Sequence, residues 1–414
     1  MTQQDLAAVS RVLYAPFTIG LYFTAAFVYL YALTTTVGRA RDRQRGTVAR
    51  KVAGAATIAG LTTHVAHEFA RGFAQDRLPL GNMFEVTSMM ALVGVAVGVG
   101  YLTFARRRSD LNGFVLLAGA LVLGFAGFMY AEPGPLMPIL DTWWRPFHVS
   151  LLVAAMGIFT AAFVFHALYL LRDSGDRANP PGDGPGTGDA PHEPLTPGLG
   201  GSLADRVDGR DDALDPPAGA TVSAEGIGSD GALKVDSEVA LEKISAHHAA
   251  VRQQVSVWRL VLGTFAGAAS VSWVFIVSAD STAAGWGRFM TINLALVAAA
   301  LVAWWFTPYL PSPATLEGLA HRTIAFAFIL WTVGTIAGAM WAEQSWGRFW
   351  GWDPKETGAL LTWIAYAGYL HARATRGVRG RPAAWIAIAA FVILMGTYLI
   401  ANYVIVGLHS YAGL

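Results

Sequence analysis

An all-α, polytopic transmembrane helical bundle of about ten spans is the fold class this sequence predicts, and three observations carry it. The 414 residues are 54% hydrophobic and only 14% charged, with a mean hydropathy of +0.44, more apolar than a water-soluble domain allows. Apolar runs long enough to cross a hydrocarbon core of about 30 Å recur along the whole chain. Arginines crowd alternate loops, the asymmetry that orients a chain in a bilayer. With 29 basic against 28 acidic residues the net charge is +1, which leaves no broad basic surface for nucleic acid. The chain has 0 cysteines, so it can supply no disulfide, no thiolate ligand and no thiol nucleophile, and any thiol chemistry belongs to a partner.

The segment from Met1 to Ala15 lacks the basic stretch and small-residue cleavage site of a signal peptide, so the first span, Ala15 to Val37, is expected to remain as a helix. Val52 to Ala70, Val86 to Phe104, Leu111 to Tyr130 and Phe147 to Leu171 follow. After a long polar stretch come Leu260 to Val277, Phe289 to Thr307, Ile324 to Trp341, a short ninth span from Thr357 to His371, and Ala383 to Val406. Arg39, Arg41, Arg43, Arg45, Arg50 and Lys51 fill the first loop, Arg106 to Arg108 the third, and Arg373, Arg376, Arg379 and Arg381 the last. Positively charged loops stay cytoplasmic, so both termini are expected to be external, in a bacterial plasma membrane, with lipid around the helices.

Composition changes abruptly between Arg172 and about Gln254, to Pro, Gly, Asp and Ser in runs such as NPPGDGPGTGDAP. Such a stretch buries too little apolar surface to offset its chain entropy, so a disordered cytoplasmic insert is expected, ending in a charged helix from about Leu233 to Val257. The expected organisation is therefore 1–171 with the first spans, 172–256 as the insert, and 257–414 with the remaining spans.

Between the eighth and ninth spans lies WAEQSWGRFWGWDPKET, with Trp341, Trp346, Phe349, Trp350 and Trp352 close together. An interfacial aromatic belt accounts for one or two tryptophans at a helix end, not for a glycine-interleaved cluster. A flat aromatic ligand gives a better reason, because indole faces offer rigid stacking area at low entropic cost. Asp353, Pro354 and Glu356 form a capping-box pattern for the next helix, whose positive end points at the loop and suits ligand carboxylates.

His148 opens the fifth span and His409 follows the tenth, both on the side of the tryptophan loop. Neutral imidazoles are the usual protein donors to heme iron, and two from distant helices can grip one iron from opposite faces. His371 lies at the opposite end of the ninth span, where it either caps a helix or belongs to a second site. His64 and His67, with Glu68 and Arg71, share one face of the second span; two histidines on one helix cannot hold one iron in trans, so buried hydrogen bonding is expected. His192, His247, His248 and His321 fall in the insert or loops and are expected to be solvated.

These residues carry a resemblance. WGRFWGWDPKETGALLTWIAYAGYLHAR resembles the tryptophan-rich WWD signature of the CcsA/ResC family of system II cytochrome c-type biogenesis proteins, and the likeness continues through HRTIAFAFILWTVGTIAGAMWA, LPLGNMFEV, PILDTWWRPFHVS and GLHSYAG. It covers roughly Arg71 to Leu171 and Leu260 to Leu414; Phe84, where the family commonly has tyrosine, two extra amino-terminal spans and the insert depart from it. The resemblance implies a subunit that takes heme b from the cytoplasmic side and presents it externally for thioether attachment to the CxxCH of apocytochrome c. By the same likeness His148 and His409 would ligate external heme iron, and His371 a membrane-embedded heme whose other ligand comes from a CcsB/ResB-type partner. Trp341, Trp346, Trp350, Trp352, Asp353 and Arg348 would line the heme, with Arg145 and Lys355 as further propionate partners. A thioredoxin-like reductant is a further implied partner, and holocytochrome c synthase (heme lyase) activity belongs to the complex. A b-type electron-transfer subunit would need histidine pairs stacked along the same helices, and a non-heme secondary transporter would need broken-helix repeats; neither pattern is visible, and neither explains the tryptophan loop.

Overall fold

The computed structural model describes residues 1–35, 40–135, 142–178, 252, 255–405 and 407. Every regular element among them is a helix. The insert and the helix expected before Val257 lie almost wholly outside the described residues. The chain divides into two compact units, Met1–Asp173 with Val255–Leu414, and Ser174–Gln254; the account below concerns the first.

The first rod joins α1 (Gln3–Val12), a wide π-type turn (Leu13–Ile19) and α2 (Gly20–Thr34). Pro16 sits inside the wide turn: it has no N–H and its ring crowds the preceding turn, so the ladder slips there, and the Leu13 carbonyl accepts instead from the Thr18 hydroxyl at 2.9 Å. Then come α3 (Ala40–Ala74), α4 (Met83–Gly100) with a π-type extension (Tyr101–Ala105), α5 (Asn112–Gly127) and α6 (Trp144–Ala178). The second half holds α7 (Val257–Ser272), the one-turn α8 (Val274–Val277), α9 (Thr282–Trp305), α10 (Pro313–Trp346), α11 (Pro354–Arg376) and α12 (Arg381–Tyr403). Capping chemistry sets the boundaries. Asn82, Ser256, Ser281 and Ser312 accept from backbone N–H groups in the first turns that follow them. Gly347 (φ 69°) and Gly377 (φ 61°) close α10 and α11 in the left-handed conformation that glycine adopts without strain.

Each apolar segment read from the sequence overlaps one of these rods, except that Leu260 to Val277 is shared between α7 and α8, which break at Trp273. Among the described residues, seven helices are long and apolar enough to cross a membrane: Gln3–Thr34, Met83–Ala105, Ser109–Gly127, Trp144–Arg177, Thr282–Trp305, Pro313–Trp346 and Arg381–Tyr403. Of the other three, α7 has only 16 residues, and α3 and α11, whose apolar faces are interrupted by ionisable side chains, fall short of that measure. The chain is a multi-pass membrane protein.

Helix α6 is the hub. Gly94 of α4 and Gly157 of α6 meet backbone to backbone, so that a Cβ on Gly157 would stand 2.5 Å from the Met90 carbonyl oxygen. Phe159 of α6 stacks on Tyr366 of α11 at 3.8 Å and 8°, and Phe163 on Phe391 of α12 at 4.5 Å. A second core around Tyr22, Phe84, Leu116 and Leu123 joins α2, α4 and α5.

Candidate functional site

The site is built where α6 begins against the last third of α10. Gly334 and Gly338, one turn apart on α10, leave a groove into which the imidazole of His148 fits: a Cβ on Gly338 would stand 2.5 Å from its Cε1 and 2.7 Å from Nδ1. His148 Nδ1 is 2.7 Å from the Gly334 carbonyl oxygen. A carbonyl only accepts, so Nδ1 carries the hydrogen and Nε2 is the basic nitrogen. The ring also lies nearly parallel to the buried indole of Trp341, with centroids 6.1 Å apart at 24°. Trp341 in turn meets Trp346 at 5.2 Å. The histidine and the first two tryptophans expected to act together are thus in one cluster.

Beyond Gly347 the chain forms an open loop whose shape is set by Glu356. Its Oε2 accepts from the N–H groups of Gly351 at 2.7 Å and Asp353 at 3.1 Å, and its other oxygen is 3.8 Å from Arg348 Nη1. The Asp353 side chain accepts from the N–H of Lys355 at 3.2 Å and also from that of Glu356, which with the Glu356 bond to the Asp353 N–H makes the capping box read from the sequence. Gly351 lies directly under the Arg348 guanidinium, where any Cβ would overlap it. Trp350 and Trp352 meet edge to face at 5.9 Å; Trp352 is 70% exposed and held at φ 59°, a strained backbone for a residue other than glycine. Phe349 is also exposed. Burial pushes the Lys355 ammonium down to about 8, against a smaller upward pull from Asp353.

A buried ion cluster braces this end. Glu85 of α4 accepts from Arg71 Nε at 2.9 Å, Arg77 Nη1 at 2.9 Å, the N–H of Gly81 at 2.7 Å and Asn82 Nδ2 at 3.1 Å. Arg71 also donates to the Ala131 carbonyl at 2.6 Å. Arg145, near the start of α6, turns inward and donates to the Leu80 carbonyl at 3.1 Å, tying the LPLGN segment to the helix that carries His148.

His409 lies outside the described residues, but Gly407, two positions before it, packs on the start of α11: a Cβ there would stand 2.6 Å from Asp353 Oδ1 and 2.8 Å from Pro354 Cδ. His371 is exposed on α11, 17 residues and so about 26 Å along the helix from Pro354, far from His148. His64 and His67 are fully buried and hydrogen-bonded. His321 corrects an expectation: it is not in a solvated loop but on α10, half-buried, with its ring 5.9 Å from that of Tyr369. Its polar neighbours, Glu317 paired with Arg373, disguised the first turns of α10 as loop. Sequence reasoning missed His166, buried in α6 and 5.8 Å from the same tyrosine, and missed Gly334 and Gly338, whose only signal is the spacing of small residues by four.

The chain is 29% identical over 396 residues to the cytochrome c biogenesis protein CcsA of Gloeobacter violaceus, covering 94% of this chain and 95% of that protein. It is 51% identical over 100 residues to CcsA of Guillardia theta, 24% of this chain and 33% of that protein. With CcsA of a Picosynechococcus it shares 52% over 97 residues, 23% of this chain and 29% of that protein. The family model described as cytochrome C assembly protein matches residues 80–409, a span that takes in Glu85, the His148 groove and the tryptophan loop. The chain therefore belongs to the cytochrome c assembly protein family.

Proposed function

We propose that this chain is the heme-handling subunit of a system II cytochrome c synthase, which takes heme b from the cytoplasmic side and presents it externally for attachment to apocytochrome c. The observation that carries this reading is the seat of His148. Its Nδ1 is committed to Gly334, its Nε2 is left basic as an axial ligand to iron requires, and its ring lies against the first tryptophan of the cluster. His409 is the opposite ligand in this reading, supported by the packing of Gly407 on Asp353 and Pro354. Trp346, Trp350 and Trp352 give stacking faces, Arg348 and Lys355 meet the propionates, and Asp353 holds the head of α11 under the loop. His371 serves a second heme position whose other ligand comes from a CcsB/ResB-type partner.

Heme is here a substrate. Each cysteine S–H of the CxxCH segment adds across one vinyl C=C: sulfur bonds to the carbon next to the porphyrin, hydrogen goes to the terminal carbon, and nothing is oxidised. The chain's own residues need only fix the vinyl edge against the thiol. Thiol upkeep falls to a partner, such as a thioredoxin-like reductant, since this chain has 0 cysteines.

The test is the reduced absorption spectrum and hemochrome content of the detergent-purified protein, co-expressed with its CcsB-type partner, for the unaltered chain and for His148→Ala, His409→Ala and His371→Ala. Bound b-type heme, altered in ligation by the first two substitutions and depleted by the third, is expected. A complex without heme that still matures a reporter cytochrome c refutes the reading.

A further inference from the structure

The proposed function leaves unused the hairpin of α2 and α3, which precedes the residues matched by the family model. Its two helices run antiparallel: a Cβ on Gly60 would meet the Tyr22 ring, one on Gly54 would stand 3.7 Å from the Tyr29 hydroxyl, and one on Gly46 would overlap Thr35. This register sets Arg45, next to Gly46, level with the end of α2 at Thr34, where the first membrane-crossing rod stops. Val48 and Val52, about one and two turns farther along α3, lie beside the apolar stretch of that rod.

Along the hairpin runs an open groove of about 590 Å³, lined by Val28 and Tyr31 of α2 and by Gln44, Arg45, Val48 and Val52 of α3. That volume is in the range of small-molecule clefts. Tyr31, Val48 and Val52 are each more than half exposed, so the groove opens away from the bundle core, toward lipid. Its two ends differ in chemistry. The deeper end is valine; the end level with Thr34 carries the Arg45 guanidinium and the Gln44 amide, with the Tyr31 phenol one turn inside it. Positive charge is dense here, since the stretch from Arg39 to Lys51 holds six basic residues and one acidic. Among the described residues, Arg43, Arg45 and Lys51 form no ion pair. A free anion in water would be held only weakly by such an exposed cation. A phosphodiester at the same level is different, because it is tethered to acyl chains that the valine end of the groove accepts.

We propose that the α2–α3 groove binds one anionic glycerophospholipid, with its phosphate on Arg45, Gln44 and Tyr31 as further donors, and one acyl chain along Val28, Val48 and Val52. The lipid clasps α2 to α3 from the membrane side. Arg43 and Lys51 are basic residues of the same segment that do not line the groove, so they separate a built site from the general attraction of a basic loop for an anionic leaflet.

Native mass spectrometry of the full-length protein, released from nanodiscs of equal phosphatidylglycerol and phosphatidylcholine, reads the occupant directly. One phosphatidylglycerol retained per chain, with phosphatidylcholine lost, is the expected result. Arg45→Gln should lower that retention about fivefold, the factor that one basic residue at a membrane surface supplies. Val48→Trp, which fills the groove, should abolish it, and Arg43→Gln should leave it unchanged. All three side chains are exposed, so the substitutions leave helix packing intact. Equal retention of the two lipids, or an equal loss in Arg43→Gln and Arg45→Gln, means a diffuse basic surface only and overturns the proposal. It is also overturned if Val48→Trp keeps its lipid but no longer binds the CcsB-type partner, because the groove then seats a helix of that partner.

Discussion

Replacing Gly338 by alanine tests the seat of His148, and the sign of the effect decides. In an open helix interior, alanine is better than glycine by about 0.5–1 kcal/mol. Gly318, on the same helix α10, has nothing within 4 Å of an added Cβ, so Gly318→Ala is expected to gain that amount. At Gly338 the methyl would stand 2.5 Å from His148 Cε1 and 3.3 Å from Nε2. The imidazole has little room to retreat, held by its bond to Gly334 on one side and by Trp341 on the other. Overpacking costs about 1–3 kcal/mol and the forfeited hydrogen bond about 1 kcal/mol, so the net expectation is a loss of roughly 1–3 kcal/mol after the helical gain. Chemical unfolding of the purified protein in detergent measures both variants. If Gly338→Ala is as stable as Gly318→Ala, His148 does not sit in this groove. If it is less stable but keeps an unchanged heme spectrum with the partner present, the seat matters to folding and not to ligation.

Three further outcomes follow from the same geometry. Glu85→Gln leaves a fully buried Arg71 facing a neutral amide, so a loss of about 3–5 kcal/mol is expected, seen as faster tryptic cleavage at Arg77; unchanged protection would mean the ion cluster does not brace the loop. Trp352→Gly relieves a left-handed backbone worth about 1–2 kcal/mol at an exposed position, so stability should hold or rise while maturation of a reporter cytochrome c falls; loss of both would make Trp352 a folding residue. Lys355 titrates near pH 8 when folded and in the ordinary lysine range when unfolded, so between those values the unfolded chain binds more protons and stability rises with pH. Stability relative to Lys355→Met should therefore climb above pH 8, and a pH-independent difference between the two would show that the ammonium is not buried.

The parts of the fold legible in the sequence are those encoded locally. Apolar runs gave the rods, and the Asp353, Pro354, Glu356 pattern gave the start of α11, because capping depends on residues three apart. What was not legible depends on partners far along the chain. The eighth apolar span, Ile324 to Trp341, lies whole inside α10, but the helix begins eleven residues earlier, at Pro313, in a polar stretch that hydropathy does not mark. Glu317 and His321 look like loop residues until Arg373, the N–H of Gly380 and Tyr369, contributed by α11 and the turn after it, are brought beside them. Arg145 likewise looks like a free cation for a ligand, and only the fold turns it inward to Leu80. The pairing of His148 with Trp341 was inferred from topology; that two glycines make room for it could not be, because 186 residues separate His148 from Gly334.

The two ends of the bundle are held in different ways, and the difference bears on what the site can do. At the Pro313 end, Glu317 ties α10 to Arg373 and to the N–H of Gly380, Arg381 reaches Asp173, and Arg172 reaches the carbonyls of Thr307 and Pro308. At the Trp341 end, Glu85, Arg71 and Arg145 fix the loops around the start of α6, so the His148 imidazole is mounted on helices braced at both termini. In the outer half of the tryptophan loop Phe349 and Trp352 are exposed, and among the described residues the loop's shape rests on a partly exposed Arg348 and on Glu356. On the proposed function, a site that holds a flat ligand in register while another protein reaches it needs one rigid wall and one open one. The seat of His148 supplies the first, and the exposed rings of Phe349 and Trp352 supply the second.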